Sequence, residues 1–149
     1  MKSLLERGVD INVRNVDGET PLGRAAISGN LGVVQLLIER DAEVDSSGQR
    51  GWTPLHWSSR EGHLEVTLIL LDHGANANAR NHEDWTPIHF SAVYGYLEIT
   101  KLLIERGADI HTVNREGQTP YQASLAYGSR EIADLLRKHG GERSDKILL

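Results

Sequence analysis

GWTPLHWSSREGH, Gly51–His63, returns thirty-three residues later as DWTPIHFSAVYGY, Asp84–Tyr96. Tryptophan, Thr-Pro and histidine recur in the same order at one interval. Working outward, the Thr-Pro pair stands at Thr20-Pro21, Thr53-Pro54, Thr86-Pro87 and Thr119-Pro120. Gly29, Gly62, Gly95 and Gly128 keep the same step, as do Gly8, Asp41, Gly74, Gly107 and Gly140. Three markers in phase over the chain indicate a stacked repeat architecture.

Local chemistry predicts helix, turn, helix and extended loop in each unit. Threonine caps a helix N-terminus, and proline suits the first helical position, where its missing N–H has no helical partner anyway. Gly62 permits the left-handed turn after a first helix from Pro54 to about Arg60. A second helix follows from Leu64 to about Asp72. Ile99, Leu102 and Leu103 show the apolar spacing of one buried face. Gly74 and Gly107 close such helices. Asp41 and Asp84 replace glycine in their series and are expected to hold a turn or left-handed backbone with mild strain. Helices this short are marginal alone in water, so the units must stack to bury their apolar faces.

Thr53–His56 (TPLH), Thr86–His89 (TPIH), Arg60–Val66 (REGHLEV) and Leu102–Ile110 (LLIERGADI) resemble the ankyrin repeat. The resemblance covers essentially residues 1–141. It implies an all-α solenoid of helix-turn-helix units with β-hairpin-like loops projecting as fingers. The units are 15–47, 48–80, 81–113 and a C-terminal capping repeat at 114–141. Residues 1–14 match the C-terminal half of a truncated repeat, and 142–149 form a tail. The half-unit implies a piece cut from a longer array. Arg130, Asp134, Arg137 and Lys138 give the last helix the polar outer face of a cap.

Composition excludes several functions. The chain of 149 residues has no cysteine, which removes disulfides, thiol catalysis and thiolate metal sites. A net charge of -5 disfavours nucleic acid. No apolar run approaches a membrane span. The N-terminus lacks the apolar segment of a secretory signal, so an intracellular, cytoplasmic address is the default. The glycines fall one per turn and build no phosphate loop. His56 and His89 recur one repeat apart, roughly 10 Å on a stack, too far to share a metal ion. The resemblance implies that each bonds its own threonine hydroxyl and nearby backbone, holding the hairpin on its helix. His63 is expected to pack at the inter-helix turn. Neither catalytic, metal-binding nor cofactor-binding residues are expected.

Trp52 and Trp85 differ from the histidines. The outer repeats carry Glu19 and Gln118 at their position, so stacking does not demand tryptophan there. The resemblance places this position at the finger base, facing the concave side. The same surface holds finger-tip residues Arg50, His82, Glu83, Arg115 and Glu116, and helix-end residues Arg60, Glu61, Val93, Tyr94 and Tyr127. Trp52 and Trp85 are expected as two exposed rungs, centred among partner-binding residues Arg50, Arg60, Glu61, His82, Glu83, Tyr94, Arg115 and Tyr127. Trp57 and Phe90 are expected to pack between repeats, and Leu68 to be exposed on the convex side. The implied function is non-catalytic binding of a protein partner by a monomer, without cofactor. The alternative is a set of spacer repeats in a longer array.

Overall fold

The computed structural model describes residues 10–141. Most of the expected half-repeat and all of the 142–149 tail therefore lie outside the described residues. Within them run eight α-helices: α1 (Pro21–Ser28), α2 (Leu31–Glu39), α3 (Pro54–Glu61), α4 (Leu64–Asp72), α5 (Pro87–Val93), α6 (Leu97–Glu105), α7 (Pro120–Ala126) and α8 (Arg130–Lys138).

The Thr-Pro pairs start the inner row, α1, α3, α5 and α7. Thr20, Thr53 and Thr119 each accept the backbone N–H three residues on, satisfying a donor that the helix leaves free. Gly29 and Gly62 end α1 and α3 in the left-handed conformation. Asp41 and Asp84 take φ 66° and 60°, as expected of aspartates in a glycine's place.

Inner helices lie closer to each other than outer helices do. The reason is side-chain size. Ala25 and Ala26, Ser58 and Ser59, Ser91 and Ala92, and Ala123 and Ser124 present small buried side chains along the inner row. The outer row packs inward through Leu37, Leu70, Leu103 and Leu136, all fully buried and one period apart. Each such leucine contributes about 1.5–3 kcal/mol. Close inner and wide outer spacing curves the stack, with the inner helices and fingers on its concave side. Leu68 on α4 is exposed, as expected.

Buried hydroxyls are mostly paired. Thr67 donates to Ser58 Oγ at 2.8 Å, and Thr100 to Ser91 Oγ at 2.8 Å, joining outer to inner helix within a repeat. Ser59 breaks this rule: its hydroxyl is buried and has no partner. Ala26 and Ala92 occupy its place in the neighbouring repeats. Ser59→Ala should therefore raise stability by about 1–2 kcal/mol, by removing an unsatisfied buried group. A urea midpoint unchanged or lowered would contradict this.

The fingers contain no β-strand among the described residues. Their hairpin character reduces to two backbone bonds each: the N–H of residues 15, 48, 81 and 114 donates to the carbonyl four residues on, at 2.9–3.0 Å, and their carbonyls accept from the N–H three residues on, at 2.9–3.1 Å. Asn15, Asn81 and Asn114 also accept two loop N–H groups through Oδ1. The second finger has Gly48 there and lacks that support. It winds instead into a short 3₁₀ turn, Gln49–Gly51, which drives Arg50 to φ 63°.

Candidate functional site

His56 and His89 sit under the fingers and are fully buried. Nδ1 of His56 accepts the Thr53 N–H at 3.0 Å and lies 2.9 Å from the Thr53 hydroxyl. Nε2 lies 2.8 Å from the Trp85 carbonyl, in the next repeat. A ring that accepts a backbone N–H at Nδ1 and faces a carbonyl at Nε2 must be the neutral Nε2–H tautomer. His89 repeats the arrangement with Thr86 at 3.2 Å and the Gln118 carbonyl at 2.9 Å. Burial lowers both pKa values to about 4; the carbonyl bonds pull the other way and are outweighed. The bond to the residue's own threonine was expected. The bond across to the following repeat was not, and it makes each histidine a tie between neighbours. His63 also bridges repeats: its ring lies over Gly29, with Nε2 3.0 Å from the Ile27 carbonyl.

These ties place Trp85. Its carbonyl takes both the His56 ring and the Asn81 N–H at 3.0 Å, while its N–H goes to Asn81 Oδ1 at 3.0 Å. The indole is thereby held at the finger base and reaches the Phe90 ring, centroids 4.8 Å apart. Phe90 touches Trp52 of the preceding repeat at 4.6 Å, and Trp52 touches Trp57 at 4.2 Å. The rings form one continuous ladder: Trp57, Trp52, Phe90, Trp85.

This corrects the expected pair of exposed rungs. Trp52 and Trp85 are half-buried, and buried Phe90 fills the space between them. The gap between rungs one repeat apart is just wide enough for a ring, and water there would leave three aromatic faces wet. Phe90 and Trp57 were expected to pack between repeats. Phe90 bridges two repeats; half-buried Trp57 lies against Trp52 of its own repeat and lines a hollow with Asp17 and Glu19 of the preceding one.

In front of the ladder lies a groove of about 310 Å³ between fingers and inner helices. Of the ten partner-binding positions expected from the sequence, Arg50, Trp52, Arg60, Glu83, Trp85, Tyr94 and Tyr127 line it. Arg60 holds Glu61 at 2.6 Å and stands 5.3 Å over the Tyr94 ring, a cation–π contact. Glu61 therefore serves the groove only through Arg60. His82 and Arg115 do not line the groove. The His82 ring covers Gly51, and its N–H bonds the Arg50 carbonyl at 2.8 Å; the Arg115 N–H bonds the Glu83 carbonyl at 3.0 Å. Both tie finger to finger. Asn81 and Phe90 also line the groove and were not among the expected site residues. Recurrence of asparagine at 15, 81 and 114 was the available signal for the first.

A larger hollow of about 600 Å³ lies beside α1, lined among others by Thr20, Pro21, Ala25 and Val33. Their counterparts Thr53, Pro54, Ser58 and Val66 are buried in the next repeat. Val13 and the polar or charged residues Arg14, Asn15, Glu19, Arg24, Ser28 and Asn30 make up the rest of its lining. Among the described residues, no three His, Cys, Asp or Glu side chains converge on a metal position.

A family model described as ankyrin repeats in three copies matches residues 1–81 and 74–146. The chain belongs to the ankyrin repeat family. Ankyrin repeats are generally protein–protein interaction modules, and the fold is typically non-enzymatic. No curated protein matches the sequence. No helix among the described residues is long and apolar enough to cross a membrane.

Proposed function

We propose that this ankyrin array is a non-catalytic recognition module that holds a protein partner in its concave groove. One observation carries the proposal: seven chemically rich positions from different repeats converge on one groove against a pre-formed aromatic wall. Binding hot spots favour tryptophan, tyrosine and arginine clustered near an interface centre. The wall is rigid, so little ordering is lost on binding. A net charge of -5 speaks against nucleic acid as the partner. We expect the module to act as a monomer without cofactor, in an intracellular setting.

Trp52 and Trp85 are poor probes of this function, because their truncation also opens the ladder. Tyr94 and Tyr127 are better. They are 48% and 58% exposed, and they line the same groove. The double change Tyr94→Ala, Tyr127→Ala should weaken a partner about 30-fold, roughly 2 kcal/mol on the hot-spot scale, and leave the melting temperature almost unchanged. Proteins retained on the immobilised chain, quantified by mass spectrometry against this variant, give the comparison. Retention that is specific yet indifferent to the change would move the site elsewhere. No specific retention at all would favour spacer repeats.

A further inference from the structure

Resting on the groove function proposed above, we infer that the groove's partner is an extended peptide segment. It carries an acidic residue and a basic residue three to six positions apart, with an apolar residue between them. The occupant's chemistry follows from which groups of the fingers remain free.

The backbone donors of the third and fourth fingers are already used. The N–H groups of Glu83 and Trp85 go to Asn81 Oδ1, those of Glu116 and Gln118 to Asn114 Oδ1, and those of His82 and Arg115 to neighbouring fingers. A peptide therefore finds no row of donors along these two fingers for strand addition. Recognition falls to side chains, and the sequence of the peptide must decide affinity. A groove of about 310 Å³ is at the small end of ligand sites and admits a few side chains rather than a domain surface.

The charges inside the groove are ordered along the stack. Arg60 is neutralised by Glu61, leaving Arg50 as the positive group that has no ion pair among the described residues. Glu83 and Glu116, one and two repeats further on, also lack an ion pair among them. Positive therefore precedes negative along the stack, and the half-buried Trp52 and Trp85 line the same groove. Repeats are about 10 Å apart at helix-packing distance. An extended chain advances about 3.3 Å per residue. One repeat thus spans about three residues and two repeats about six. An acid opposite Arg50 and a base opposite Glu83 or Glu116 fit that spacing, with an apolar side chain over the indoles.

The test is a displayed library of random linear peptides, about twelve residues long, panned against the whole immobilised chain. Enriched peptides should share one order of acid, apolar residue and base at this spacing. The charge-reversed variant Arg50→Glu, Glu83→Arg, Glu116→Arg should enrich the opposite order. A single enriched peptide should lose at least about tenfold in affinity for that variant, and a charge-swapped peptide should recover it. Arg50→Asn, which suits a positive φ, provides a second variant without strain; it should relax only the preference for the acid. Enrichment without charge order, or the same order on the reversed variant, overturns the inference. So does a library that yields no binder. The groove function itself is judged separately, by retention of folded proteins on the tyrosine variant.

Discussion

Lowering the pH from 6.5 to 4.5 should cost this fold about 4 kcal/mol, through two histidines alone. His56 and His89 have pKa values lowered from 6.5 to about 4 by burial. The folded state then binds fewer protons than the unfolded chain between those values, so protonation favours unfolding. Stability is fully present above pH 6.5 and is lost as pH falls toward 4. The cost approaches about 1.4 kcal/mol per pH unit per histidine in the middle of that window and is less near its ends, which gives about 4 kcal/mol for two residues over two units. Domains of this size are stable by only about 5–15 kcal/mol, so unfolding should set in near the lower end.

The geometry gives the reason. A proton added to Nδ1 would meet the Thr53 or Thr86 N–H head-on, with no water to replace it. Urea midpoints measured from pH 7 to pH 4.5 check the effect. The control is already present in the last repeat, where Gln122 Oε1 accepts the Thr119 N–H at 2.9 Å. His56→Gln with His89→Gln keeps that acceptor and cannot titrate, so its midpoint should fall far less over the same range. Equal falls in both proteins would show that the histidines do not govern acid stability.

The parts legible in the sequence are those set within one repeat. Thr-Pro caps, turn glycines, buried leucines and the left-handed aspartates each follow from local chemistry recurring in phase. The polar positions of α8, Arg130, Asp134, Arg137 and Lys138, are exposed. The parts that were not legible arise between repeats. Nothing local tells that His56 reaches a carbonyl twenty-nine residues on, or that Phe90 enters the gap between two tryptophans. Arg50 at positive φ is a third case. It depends on Gly48 lacking the asparagine side chain that steadies the other fingers, a consequence visible only once the loop is closed. The site was therefore legible as a set of positions, and illegible in the division between residues that line the groove and residues that tie the fingers.

Phe90→Ala tests that division and should cost about 3–5 kcal/mol, the range for deleting a buried aromatic ring. Phe90 is 6% exposed and is bracketed by Trp52 and Trp85, with His56 edge-on at 6.0 Å between centroids. Removing it opens a cavity that two half-buried indoles line, and aromatic pairs add about 0.5–1.5 kcal/mol each beyond burial. All three tryptophans of the chain belong to the ladder, so intrinsic fluorescence reports this site and no other. In Phe90→Ala the emission should shift to the red as Trp52 and Trp85 gain water, in the still-folded protein. Phe90→Leu fills most of the volume and should cost less, about 1–2 kcal/mol, with a smaller shift. A loss under about 1 kcal/mol in Phe90→Ala, with unchanged emission, would mean that the two tryptophans hold their places without the ring between them. They would then be positioned by their own fingers, as two independent rungs.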